Sequence, residues 1–483
     1  MPSPTLRGPK CGRARTRHVL LGLLLAAGVP GVRVAQAQAG HGDGVELVAV
    51  DPDSGTAAAR DAAEAQRRWG GALFDWSFAN VFPWAYNRYV SDQDWARVSP
   101  ASWSRNLQAE LTWDDNSLYA NHLAHAYHGA MYHNAGRANG FTFWGSVPFS
   151  VTGSLVWEYF AEVNPPSAND LITTTAGGVV LGEVAWRAAQ LVIDDGATGL
   201  DRVWREVAVF AMNPGLGAHR VTRGKAWRVT RGAGPARAPH ESSFDVGYRS
   251  VGYGTSTSGG LQQALVRGTL RHGDPHAQEQ LRPFDVFDVS FELGSNQPRL
   301  LMSVEGSGIL AGGRVARGMV LGATMEYGLI GNSVYEFSAG SLGLSLRGRT
   351  PGSGRWRAGA DLELLATPVA AVPTDYSRDW IERPYDLSAG VGARARAYVD
   401  RGPVQARLSY TAHYLVPLSA AATQHHVQLA SVEAKVPLVG PFSVGAGYDI
   451  FIQSSRFGQD VGRVTRQYPD LRFFISKAGG DWR

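Results

Sequence analysis

The sequence predicts an α+β protein, an N-terminal helical domain followed by a C-terminal antiparallel transmembrane β-barrel of about 12 strands. Three observations predict it. From about Phe244 onward, apolar and polar residues alternate with a period of two. The alternating segments run about 10 to 14 residues, longer than the usual strand of roughly 5–6 and long enough to cross a bilayer when tilted. Upstream the composition is different: ten of the fourteen tryptophans lie between Trp69 and Trp204, among residues with helical signals.

Residues 1–39 read as a signal peptide. Arg7, Lys10, Arg13, Arg15 and Arg17 form a basic n-region, residues 19–29 a short apolar run, and Ala35-Gln36-Ala37 or Ala37-Gln38-Ala39 a small-residue cleavage site. The segment holds six of the 46 basic residues and none of the 42 acidic ones, so its removal leaves 40 against 42, a net charge of −2. That balance gives no electrostatic case for nucleic-acid binding. Cys11, the single cysteine, lies inside the n-region. A mature chain without cysteine excludes disulfides, thiolate nucleophiles and cysteine metal ligands.

Residues 40–68, rich in Ala, Gly and Asp, read as a flexible leader. An aromatic-rich helical domain is expected over residues 69–235. Its tryptophans suit a membrane–water interface or an aromatic core. One helix is expected near 122–137, ending at Gly140, and a second near 146–162. A third starts after Pro165-Pro166, with Ser167 as N-cap and Asp170 three residues on. A fourth runs from about Leu200 to Met212 and stops at Pro214. In the third, Gly178 and Gly182 share a face that lets a neighbouring backbone approach. The uncharged run 138–157 reads as buried or interfacial.

The barrel is expected over residues 240–483. On the segment 387–399, Leu387, Val391 and Val399 share a face opposed by Ser388, Arg394 and Arg396. The same two-walled pattern recurs at 404–416 and 442–452, because successive strand side chains point to opposite faces. Arg394, Arg396, Arg407 and His413 are placed on a wet or ion-paired lumen wall. Residues 400–402 and 437–440 read as tight turns, and 367–385 and 454–467 as long polar loops. Short turns at one rim and long loops at the other mark an outer-membrane barrel.

The chemistry concentrates in Asn121–Gly140, with four histidines in twenty residues. On a helix His125, His128 and Tyr132 share a face. His122 and His133 stand about 16 Å apart along the axis, too far for one ion. Glu158 and Glu162, at i and i+4, repel each other and call for a facing cation: Arg137, a histidine, a metal or a shared proton. Glu183 and Arg187 are ordered to satisfy each other. The candidate site is therefore His125, His128, Glu158, Glu162 and Asp170 with Arg137, serving acid/base chemistry or a metal. The alternative gives each a structural role, with Asp170 only capping a helix.

Several separated blocks resemble a bacterial family of unknown function, domain-of-unknown-function family 3943. They are His125-Ala126-Tyr127-His128-Gly129, Ala135-Gly136-Arg137-Ala138-Asn139-Gly140, Gly153-Ser154 with Trp157-Glu158-Tyr159 and Glu162, Pro166-Ser167-Ala168-Asn169-Asp170-Leu171, and Gly177-Gly178 with Gly182-Glu183. They fall within residues 100–215, and Ala126 stands where the family pattern has proline. The resemblance implies an exported, envelope-associated bacterial protein and supplies no reaction.

The expected place is the outer membrane, with the helical domain periplasmic. The expected partners are outer-membrane lipid and the barrel-assembly machinery. Three functions stand open: a structural or transport-related envelope protein, a membrane-interface hydrolase of lipid or envelope polymer using the His/Glu cluster, and a metal-binding module. The sequence specifies no cofactor and no small-molecule ligand.

Overall fold

A computed structural model describes residues 67–483 apart from 231–239, 297–298, 333, 351–355, 375–383, 402–403, 420–421, 459–460 and 481–483. The expected signal peptide, Cys11 and most of the expected leader lie outside the described residues. The helical part and the barrel belong to one compact unit.

Twelve long strands form a closed antiparallel barrel: β1 (His240–Tyr253), β2 (Ser256–His272), β3 (Phe287–Asn296), β4 (Arg299–Ala316), β5 (Met319–Gly331), β6 (Glu336–Arg349), β7 (Trp356–Pro373), β8 (Tyr385–Arg401), β9 (Val404–Ser419), β10 (Gln424–Val439), β11 (Phe442–Arg456) and β12 (Arg463–Gly480). Each pairs with its neighbours in sequence, and β1 pairs with β12 to close the ring. The short strand Gln280–Leu281 adds to the edge of β4. The start of β1 and the end of β12 lie at one rim, called here the proximal rim. The other is the distal rim.

The alternation of the sequence becomes two walls. On β1, Asp245 and Arg249 face the lumen and are buried, while Phe244, Val246 and Tyr248 face out and are exposed. The outward residues Leu362, Leu364, Val391, Leu408, Phe473 and Ile475 continue an apolar outer surface around the barrel, as a lipid belt requires. The strands also run further than the alternation suggested. Residues 454–456 and 463–467 are strand, so the connection there shrinks to 457–462.

The lumen is lined by its own ion pairs. Arg267 bridges Asp245 at 2.6 Å and Glu433 at 2.7 Å. Arg249 meets Asp470 at 2.9 Å, and Arg472 meets Asp449 at 2.8 Å. Arg394 is paired with Glu326 and Glu363, while Arg396 and Arg407 stand near Asp361 and Glu241. At the distal rim an apolar cluster takes over. The rings of Tyr335 and Phe451 stack at 4.3 Å and 7°, with Tyr468 and Phe337 beside them. Val251, Leu415 and Val427 complete this buried group.

Among the described residues seven helices precede the barrel: α1 (Trp69–Tyr89), α2 (Pro100–Gln108), α3 (His125–Arg137), α4 (Phe143–Val156), α5 (Ala168–Val192), α6 (Gly199–Met212) and α7 (Pro214–Thr222). Among the described residues no helix is long and apolar enough to cross a membrane. A π-helical turn, Ala120–Ala124, leads into α3, and another, Trp157–Ala161, ends α4. The expected start of α5 holds: the Ser167 side chain accepts from the Asp170 N–H. Pro214, expected to stop α6, also opens α7, since proline is well placed in a first turn.

The helices lie against the outer wall of the barrel. On β5, Thr324 and Glu326 face the lumen, where they meet Glu363 and Arg394. Met325, Tyr327 and Leu329 therefore face out, and the helices cover them. The Tyr327 hydroxyl donates to the His122 carbonyl at 2.6 Å. Val180 and Val184 of α5 pack over Gly306 on β4. The contact runs from rim to rim. Distally, Asn121 donates to the Tyr385 hydroxyl at 2.7 Å. Proximally, Arg187 donates to the Pro283 carbonyl at 2.8 Å, and Phe143 stacks on Phe284.

Candidate functional site

The site is assembled by the packing of α3 on α5. Gly129 of α3 and Gly178 of α5 bring the two backbones together, and a Cβ on either would collide with the other helix. Gly153 of α4 makes the same room for the ring of Tyr132. Close packing then sets the distal ends of α3, α4 and α5 side by side.

Three of the expected residues meet there. His125 opens α3, Glu158 lies in the π-turn after α4, and Asp170 sits in the first turn of α5. One ligand-type atom from each lies within 4.8 Å of the other two. His125 Nδ1 is 3.1 Å from the Thr174 hydroxyl, which turns Nε2 toward Asp170 Oδ1 at 3.9 Å. Glu158 accepts from the Ser167 N–H at 2.8 Å, and Asp170 accepts from Asn169 Nδ2 at 2.9 Å. Glu158 and Asp170 are buried, whereas His125 keeps 16% of its side chain exposed. The trio thus has one side chain at the surface and two below it.

Burial raises the pKa of Glu158 well above the ordinary carboxylate range, and the neighbouring Asp170 and Glu162 add to the rise. Burial also raises Asp170 and Glu162, against the opposing effect of His125. A crowded set of acids with so little water favours any positive charge that enters it, whether proton or metal ion.

The other expected members are not part of this trio. Glu162 is not on a helical face with Glu158. The π-turn breaks the i, i+4 relationship, Glu162 is in extended backbone, and its carboxylate accepts from Trp157 Nε1 at 2.5 Å. His128 bonds the Ala79 carbonyl at 2.7 Å and packs edge-on against Trp157. Burial lowers its pKa to about 4, so it is neutral at pH 7. Arg137 does not face the acids at all. It lies at the proximal end of α3, 2.9 Å from Glu183 and over the Trp186 ring. Arg187 completes that pair at 2.7 Å and His133 joins it at 3.0 Å. Burial alone would raise the pKa of Glu183, but Arg137 and Arg187 hold it well below the usual range.

The sequence reading missed a second constellation. His425 of β10 lies 2.7 Å from the Ser455 hydroxyl and 3.1 Å from Asp386. These are the members of a Ser–His–Asp relay, but all three are buried. Gln453 also donates to the Ser455 oxygen, and the Ala422 N–H donates to Asp386. Only strand register unites them: His425 and Ser455 are cross-strand partners thirty residues apart.

Residues 110–215 match the model of the family described as Domain of unknown function (DUF3943). No curated protein matches the chain. Among solved structures it is similar to the NanC porin, at 12% identity over 49% of this chain and 98% of that one, with a TM-score of 0.26. It is also similar to the β domain of the Bordetella autotransporter BrkA (11%, 49% and 99%, 0.24) and to an anion-selective porin from Comamonas acidovorans (7%, 50% and 99%, 0.24).

Proposed function

We propose that the protein is an outer-membrane barrel whose working part is the helical block on its wall. His125, Glu158 and Asp170 form the working site, and its ligand arrives from the lipid phase. The observation that carries this reading is the position of the block. It covers part of the lipid-facing wall and leaves the lumen to ion pairs and a distal aromatic cluster. In this reading the block is neither a plug nor a periplasmic appendage, and the barrel is its scaffold.

The outer flank of the block supports a lipid environment. On α1, Phe74, Phe78 and Phe82 are exposed. On α6, Leu200, Val203, Trp204, Val207 and Phe210 form an exposed apolar stripe at helical spacing, opposite the buried Arg202 and Val209. Contiguous apolar surface of this kind marks a membrane or protein contact, and an amphipathic helix such as α6 suits the membrane interface. A hydrolase of lipid or envelope polymer is the second reading. It is favoured by the partly exposed His125 ring, whose Nδ1 is fixed by Thr174.

The mature chain is expected to lack cysteine, so single cysteines report position cleanly. In outer-membrane vesicles or proteoliposomes, Phe78→Cys and Val207→Cys should react slowly with a charged maleimide and readily with an apolar one. Fast reaction of both with the charged reagent would sink the proposal, because the flank would then face water.

A further inference from the structure

We infer that His125, Glu158 and Asp170 bind one divalent transition-metal ion. The inference rests on the reading of these residues as the working site and gives that site its ligand chemistry. The donor set is one imidazole nitrogen and two carboxylate oxygens, which suits zinc or manganese better than magnesium or calcium.

Geometry carries the argument. Two ligands each about 2.1 Å from an ion stand at most about 4.2 Å apart. Three ligands around one ion stand closer, about 3.4–3.6 Å from one another. The atoms here lie within 4.8 Å of one another, so a movement of each by under about 1 Å closes the set around an ion. His125 Nε2 and Asp170 Oδ1, at 3.9 Å, are too far apart for a direct hydrogen bond and well placed to share an ion. Each ligand is also held from behind. Thr174 fixes His125 through Nδ1, the Ser167 N–H fixes Glu158, and Asn169 fixes Asp170. Metal ligands are oriented by such outer contacts.

Two further observations point the same way. Arg137, the strongest neighbouring cation expected from the sequence, is committed to Glu183 at the far end of α3. The two π-helical turns of the block flank this site, one ending immediately before His125 and the other containing Glu158. π-turns are rare and recur at functional sites. Three protein ligands with one at the surface leave coordination positions open for an outside molecule, as in catalytic rather than structural metal sites.

The test uses full-length mature protein without a histidine tag, purified in detergent and stripped with EDTA. It is then dialysed against zinc alone or manganese alone and assayed for bound metal. About one ion per chain is expected. Asp170→Asn and His125→Asn should each weaken binding at least about tenfold, while His426→Asn on the barrel should leave it unchanged. Far-ultraviolet circular dichroism establishes that each variant keeps its helices. If Asp170→Asn unfolds the block, His125→Asn decides, because that side chain reaches the surface. Failure of the wild type to retain either ion would overturn the inference. So would full retention in both folded ligand variants. Neither result bears on whether the outer flank faces lipid, which the cysteine labelling reads separately.

Discussion

Gly129 on α3 and Gly178 on α5 meet backbone to backbone: a Cβ on Gly178 would stand 2.5 Å from the Gly129 Cα. No side chain can rotate out of the way of such a contact, so the helices must separate. Gly178→Ala is expected to cost about 1–3 kcal/mol or more and to loosen the His125 site, because α3 and α5 carry two of its three members. Thermal unfolding followed by the helical dichroism signal should fall for Gly178→Ala and stay near wild type for Gly70→Ala, where a Cβ meets nothing.

Glu183 is fully buried with Arg137, Arg187 and His133 around it. Removing one partner of a buried ion pair strands the others and typically costs 3–5 kcal/mol. Glu183→Gln should therefore unfold the helical block while the barrel keeps its heat-modifiable migration on a gel. The pH dependence follows in sign. The Glu183 pKa is depressed in the folded state, so its contribution is present above the ordinary glutamate pKa near 4.5 and lost as pH falls through the lower folded value. The wild-type block should hold at pH 5 and lose this support only in stronger acid. Equal acid sensitivity of wild type and Glu183→Gln would contradict the assignment.

Tyr335 stacks on Phe451 inside the distal rim. A packed aromatic cluster excludes water and ions from the space it fills. In planar bilayers, Tyr335→Ala/Phe451→Ala should raise single-channel conductance several-fold over wild type. An unchanged conductance would mean that the cluster does not control the passage.

Ser455, His425 and Asp386 have the spacing of a nucleophilic relay but no exposed member. A sealed serine cannot meet a substrate, so the trio is expected to brace the distal rim. Ser455→Ala should cost about 1 kcal/mol of stability, and the wild type should not react with a fluorophosphonate probe. Covalent labelling that vanishes in Ser455→Ala would reverse this view and make the trio an enzyme site.

The barrel was legible because alternation at a period of two is a one-dimensional signal, and tight glycine turns such as Gly440 punctuate it. The segments 387–399, 404–416 and 442–452 all fall within strands, and the expected count of about 12 is met. The Ser167 cap and the Glu183–Arg187 pair were legible for the same reason, being local. The site was legible only in part. His125, Glu158 and Asp170 were named, but Arg137 was placed with them because its partner, 46 residues away, depends on how α3 packs on α5. The π-turns were also hidden: Trp157–Ala161 gives way to extended backbone at Glu162, so Glu158 and Glu162 share no helical face, and no composition marks it. The α1 helix carries glycine, proline and aromatics together, so its helical period is blurred. His425 and Ser455 fall on different strands, and only tertiary register joins them.

The docking of the helices on β4, β5 and β8 also constrains assembly. The hydroxyl of Tyr327 reaches a carbonyl 205 residues earlier in the chain, and Tyr385 reaches one 269 residues earlier. Contacts of such long sequence separation form late. The helical block is synthesised before the wall that receives it, so its inner face, including Ala126, Val180 and Val184, has no partner until β4 to β8 stand side by side. The order of the chain therefore leaves this apolar face unburied until the wall that receives it has formed. The β1–β12 seam lies on strands outside that docking wall, so the ring can close before the helices settle.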